Sequence, residues 1–268
     1  MSGVSAAWPP RGPSLSSNHI LQACSLLWVA LRMYMAPKFL LFDVWTDLVD
    51  EWRQAFAALV PEECQAHVTI LETTLSELKP PNASFDCIVS PANSFGRFDG
   101  GFDQILSDVL APPDDPSALT RAAQSVLYHR WRGFAPPGTC TLIPLSDTPC
   151  ATNPFACRFV ALCPTMRFPS SVAWHKEIVY NCVWSLLVEI DEHNTRAASD
   201  PVLSPIETVV MTGLATGIGC VSANQCAKQT ALAFAHYYDA KTNPGKWSAM
   251  TWDDIAQYRV NVRLPTDC

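Results

Sequence analysis

Residues 85–103 read FDCIVSPANSFGRFDGGFD, and this stretch decides the fold. Its first six residues are a short apolar run bounded by turn residues, the pattern of a buried strand. A loop of Pro, Asn, Ser and Gly follows, and then GFDQILSDVL (101–110), whose apolar residues recur at helical spacing. Upstream, FLLF (39–42) reads as a buried strand, Thr46 is placed to cap a helix through DLVDEWRQAFAALV (47–60), and HVTILE (67–72) is β-rich. Downstream, SALTRAAQSVLYHRW (117–131) is helical, and TCTLIPL (139–145) and CRFVALCP (157–164) are strands around a Pro/Asn-rich loop. Trp174, Ile178, Val179, Cys182, Val183, Leu186, Leu187 and Ile190 make one continuous face, which predicts a helix over Trp174–His193. ETVVMT (207–212) is a strand, and Ser222 caps a last long helix through Tyr238. Strands alternating with helices predict a three-layer α/β/α sandwich with a mixed, largely parallel sheet.

Composition narrows the function. The 268 residues carry 18 Lys+Arg against 25 Asp+Glu, a net charge of −7, so duplex nucleic acid is not an expected partner. A small anion is still accessible to a few backbone N–H groups. Hydrophobic residues make up 49%, enough for a packed core. The 11 cysteines include no C-x-x-C pair, and most sit in apolar runs. They read as small core residues of a reduced, intracellular protein, cytoplasmic or nuclear, with no metal or cofactor implied. No apolar run reaches the roughly 18–20 residues of a membrane span. The nearest, ILQACSLLWVAL (20–31), resembles a signal-peptide core but has only Arg11 upstream and no small-residue cleavage site after it. Met33 and Met35 stand directly before PKFLLFDV, so residues 1–34 read as a dispensable extension and 35–268 as one domain.

Ligands of open α/β sheets bind beyond the carboxyl ends of the strands, where loops meet helix N-termini. Two loops qualify: Ser90–Asp103 after FDCIVS, and TGLATGIGCVS (212–222) after ETVVMT. Each offers backbone N–H groups and a positive dipole end to a phosphate. Gly213, Gly217 and Gly219 are expected to permit close approach and φ > 0. Thr212–Gly219 also matches the T-G-x-x-x-G-I-G fingerprint of NAD(P)-dependent short-chain dehydrogenases, and Tyr237 and Lys241 supply Y-x-x-x-K. Position argues against that reading. Only 49 residues follow Gly219, and Tyr237 and Lys241 end the helix that this loop begins, about 25–30 Å away at 1.5 Å per residue.

The first loop resembles the signature of macro domains, the ADP-ribose-binding α/β/α modules. Val89-Ser90-Pro91-Ala92-Asn93 matches V-N-A-A-N, and Gly100-Gly101-Phe102-Asp103 matches the glycine run with its hydrophobic residue and Asp, without a gap. SPANSFG (90–96) and CPTMRFP (163–169) are similar to one branch of that family, and TGIGCVS sits where its diphosphate loop belongs. The resemblance covers residues 37–240. It implies that Asn93 bonds the distal ribose and that Gly100, Gly101 and Phe102 contact that ribose and the phosphates. It implies that Thr216, Gly217, Ile218 and Gly219 cradle the diphosphate. Glu72, in LETT, is the candidate for the adenine-reading acid. Asn93 and Asp103 occupy the positions that hydrolytic relatives use, which leans the expectation towards an ADP-ribosyl hydrolase or an ADP-ribose 1″-phosphate phosphatase acting on ADP-ribose derivatives or ADP-ribosylated protein. The alternative is a reader that binds ADP-ribose without turnover.

Three departures from the family pattern stand out: Asp99 in place of a glycine, Cys220-Val221 where relatives carry an aromatic ring, and the longer Glu72. Simpler roles remain open as well. Asn93 suits a turn, Asp103 suits a helix N-cap, and Phe95, Phe98 and Phe102 suit a core or a lid. Arg97 reads as a solvated loop cation. His129, His175, His193 and His236 lie on helical stretches and read as structural.

Overall fold

Residues 37–262 are described by a computed structural model of the chain. The extension 1–34 and its ILQACSLLWVAL stretch lie outside the described residues. Six strands form one sheet: β1 (Lys38–Asp43), β2 (Val68–Glu72), β3 (Cys87–Ser90), β4 (Thr141–Pro144), β5 (Phe159–Leu162) and β6 (Thr208–Met211). Their order is β2-β1-β6-β3-β5-β4, and every neighbouring pair is parallel except β4 with β5. The helices are α1 (Thr46–Leu59), α2 (Glu62–Gln65), α3 (Gly101–Leu110), α4 (Ala118–Trp131), α5 (Ile178–Ser199), α6 (Ala223–Thr242), α7 (Pro244–Trp247) and α8 (Trp252–Val262).

Side chains alternate across the sheet, so each strand feeds two cores. Phe39, Leu41, Val89 and Met211 pack on one face against Trp52 of α1, Leu186 of α5 and Ala227 of α6. Leu40, Phe42, Ile88 and Val210 pack on the other against Leu106 of α3 and Leu119 and Leu127 of α4. Each such side chain contributes about 1.5–3 kcal/mol of burial. The result is the α/β/α sandwich that the strand–helix alternation predicts. Among the described residues, no helix is long and apolar enough to cross a membrane.

Three local expectations are corrected. Thr46 does not cap α1. It is the first helical residue, and its hydroxyl donates to Glu72 Oε1 at 2.9 Å. The third long helix begins at Ile178, not Trp174, which stands exposed in a turn with His175 beside it. The spacing of Trp174 fits the helix, but Val172 N–H donates to Gly219 O at 2.9 Å and holds this segment against the second loop. The last expected helix runs past Tyr238 to Thr242, and α7 and α8 follow it. Ser222 caps α6 as expected, its hydroxyl accepting from Gln225 N–H at 3.2 Å.

Candidate functional site

The chain places β1 and β2 on one side of β6 and β3, β5 and β4 on the other. Ile88 of β3 lies opposite Val210 of β6, in parallel. The loops that leave these two strands therefore emerge side by side, from strands about 4.8 Å apart. A third segment joins them. Thr165 N–H donates to Ala92 O, Ser94 N–H to Met166 O, and Val172 N–H to Gly219 O, each at 2.9 Å. CPTMRFP is thus part of a strap, residues 163–172, that bonds to both loops.

The second loop is open to solvent at Gly217 and Ile218, with Thr216 half-buried and Gly219 buried. Among the described residues, nothing accepts a hydrogen bond from the N–H of Thr216, Gly217, Ile218 or Gly219. Four successive unpaired donors ahead of α6 suit an anion. The glycines act differently from expectation, because the positive φ angles fall on Ala215 (60°) and Cys220 (57°) instead. Gly219 is needed for close approach: a Cβ there would stand 2.5 Å from Ala215 O. Gly217 faces open space, with nothing within 4 Å of an added Cβ. Asp43, at the end of β1, anchors the loop by accepting from Thr212 Oγ1 at 2.8 Å and Gly213 N–H at 3.3 Å.

In the first loop, Asn93 serves the loop itself. Its Oδ1 accepts from Phe95 and Arg97 N–H, and its Nδ2 donates to Arg97 O. Arg97, read as solvated, pairs with Asp99, so the charge that departs from the family pattern is offset locally. Phe98 is core, Phe102 is half-buried near Phe42, and Phe95 is exposed beside Phe134. Gly100 and Gly101 are exposed at the start of α3. The N–H groups of Gly100, Gly101, Phe102 and Asp103 also lack partners among the described residues.

Asp103 is not the cap of α3. Gly100 is, and it has no side chain to offer. Asp103 turns inward with 7% exposure, and its Oδ1 accepts from Ser90 Oγ at 2.6 Å. Burial pushes its carboxyl up to about 7, the Ser90 bond opposes the rise, and Asp99 adds to it. A carboxyl poised near neutrality is matched to proton transfer.

Glu72 ends β2 in register with Asp43, so β1 separates it from β6, and its carboxylate accepts from Thr46. The dehydrogenase-like pair belongs to the α5–α6 contact instead: Lys241 pairs with Asp191 at 2.8 Å, and burial pushes the Tyr237 hydroxyl up. His193 bonds Ser204 O, and His236 bonds Tyr180 Oη while burial lowers it to about 4. Two surface depressions border α5, one of 370 Å³ lined by the aromatic rings of Tyr180, Trp184 and Trp247 and one of 530 Å³, and neither is lined by a residue of the two loops. Sequence reasoning missed Ser90 and Asp43 as partners of the site. Their signal was position, a hydroxyl and an acid directly at the ends of two apolar strands.

No protein-family model matches the chain, and the search of curated proteins found no match.

Proposed function

We propose that the carboxyl end of the sheet binds ADP-ribose or a close derivative, free or attached to protein, with the diphosphate against Thr216–Gly219. One observation carries this reading: N–H groups without a partner among the described residues, on two loops that leave adjacent parallel strands and are tied together by one strap. Such donors favour a phosphate pair over any neutral ligand. The choice of ADP-ribose within that class rests on the macro-domain resemblance of residues 89–103. Asn93 then shapes the ribose loop by holding the turn over Arg97, and Phe102 and Ile218 border the ligand. Glu72 is the adenine-reading acid in this reading. An intracellular location goes with it, since all nine cysteines among the described residues are free.

Asp103 favours a second reading, hydrolysis at the anomeric carbon. Its Oδ2 would take a proton from an attacking water, and the leaving oxygen would depart with the electrons of the broken C–O bond. Binding and turnover separate in one experiment. Calorimetry with ADP-ribose and with AMP is run beside incubation with ADP-ribosylated protein and ADP-ribose 1″-phosphate. ADP-ribose at 100 times its dissociation constant should stabilise the fold by about 2.7 kcal/mol. AMP should bind more weakly, having only one phosphate. No heat and no thermal shift at millimolar ADP-ribose would refute the binding claim. Binding without turnover of any derivative would leave a reader.

A further inference from the structure

Asp103 is a buried carboxyl with no cation bonded to it among the described residues. Ser90 Oγ donates to its Oδ1 at 2.6 Å, while Oδ2 has no hydrogen-bond partner among the described residues. Ser90 is itself fully buried and is the last residue of β3, and Asp103 lies in the first turn of α3. One hydroxyl thus bridges strand to helix across the base of the first loop. The charged groups on the surrounding elements are engaged elsewhere. Asp99 is held by Arg97, Asp108 by Gln104, Arg121 by Asp115, and Asp43 by Thr212.

We propose that Ser90 is the positioning residue of this site, fixing Oδ1 of Asp103 and leaving Oδ2 as the atom that exchanges a proton with whatever the two loops hold. The proposal deepens the ADP-ribose reading and rests on it, because a ribose hydroxyl or a water beside it is the group that Oδ2 would serve. As a carboxylate, Oδ2 accepts that proton; as a neutral acid, it returns it. In both states the Ser90 hydroxyl can keep donating to Oδ1, so the carboxyl need not rotate when its proton moves. A hydroxyl suits this task because it donates without bringing a charge. A Lys or Arg in its place would hold the carboxyl ionised at every pH of interest.

The test is a carbon-13 NMR titration of the side-chain carboxyl in the full, ligand-free chain, with Asp103→Asn assigning the resonance. In the wild type the midpoint should fall near neutrality. In Ser90→Ala it should rise by about one to two pH units, because the lost bond favoured the carboxylate. Ser90→Thr should return it towards the wild-type value. No ligand is present, so this outcome is independent of whether ADP-ribose binds. Calorimetry with ADP-ribose from pH 5 to 8 forms the second arm, in which affinity should change through the wild-type midpoint and the break should move with it in Ser90→Ala. A moved midpoint without ADP-ribose heat would keep the Ser90–Asp103 coupling and overturn the ligand reading. A midpoint unmoved in Ser90→Ala, with only a lower melting temperature, would overturn the proposal. If Ser90→Ala does not fold, the wild-type and Ser90→Thr titrations decide, and a wild-type midpoint in the ordinary carboxylate range overturns it.

Discussion

Each end of strands β3 and β6 has an acid paired with a hydroxyl, and the two ends use them in opposite ways. At the entering end, Asp86 Oδ2 accepts from Thr208 Oγ1 and from the N–H groups of Glu207 and Thr208, while Oδ1 pairs with Arg158 at 2.7 Å. At the exit, among the described residues, Asp103 has Ser90 alone and the neighbouring loop N–H groups have no partner. Burial acts to raise the Asp86 carboxyl, but Arg158 and the backbone donors outweigh it and the carboxyl is lowered. Asp103 is raised. The linkage signs are therefore opposite. Asp86 stabilises the fold above its unfolded pKa of about 3.9, and that contribution fades as pH falls through its lower folded value. Asp103 destabilises the fold above about pH 7, and relief comes as pH falls from there towards 4. One end of the sheet holds the strands together, and the other keeps its polar groups available.

The contrast can be broken at several points. Asp86→Ala strands Arg158 and three donors, and should cost about 2–4 kcal/mol in chemical denaturation while leaving ADP-ribose affinity unchanged. Equal stability would mean that the entering end is not the anchor. Gly219→Ala should cost about 1–3 kcal/mol, since its Cβ meets backbone at 2.5 Å. Asp103→Asn removes a penalised charge, so at pH 8 it should be more stable than the wild type, on the order of 2 kcal/mol or more, with the difference shrinking as pH falls below about 7 and vanishing only below about pH 4. A difference that does not vary with pH would remove Asp103 from the comparison. Asn93→Ala frees two loop N–H groups and should cost about 1 kcal/mol along with some affinity. Gly217→Val should change stability least, within about 0.5 kcal/mol, yet lower ADP-ribose affinity at least tenfold by filling the space beside the open donors. Unchanged affinity there would show that the second loop does not hold the ligand.

Much of the fold was legible because the pattern is strong. CIVS, FVAL and TVVM are short apolar strands, and every long helix carries a periodic face. What sequence alone misjudged were long-range bonds competing with local signals. Thr46 looked like a cap, yet its hydroxyl goes to Glu72, 26 residues away. Trp174 had helical spacing, but its segment is tied to Gly219. The two loops were found by their glycines, and Gly96 and Gly101 of the first do take positive φ, whereas in the second the left-handed positions are Ala215 and Cys220. Asp103 was singled out from its motif, whereas Ser90 was not, because a serine closing a strand shows no pattern until the helix folds back over it.

The most direct test of the central claim is the set of amide chemical shifts on adding ADP-ribose to the isotope-labelled full chain. The open-donor account predicts the largest changes at the N–H groups of Thr216–Gly219 and Gly100–Asp103, with little change around Asp86 or in the aromatic depression at Trp184 and Trp247. Changes confined to that depression, or none at saturating ligand, would contradict it.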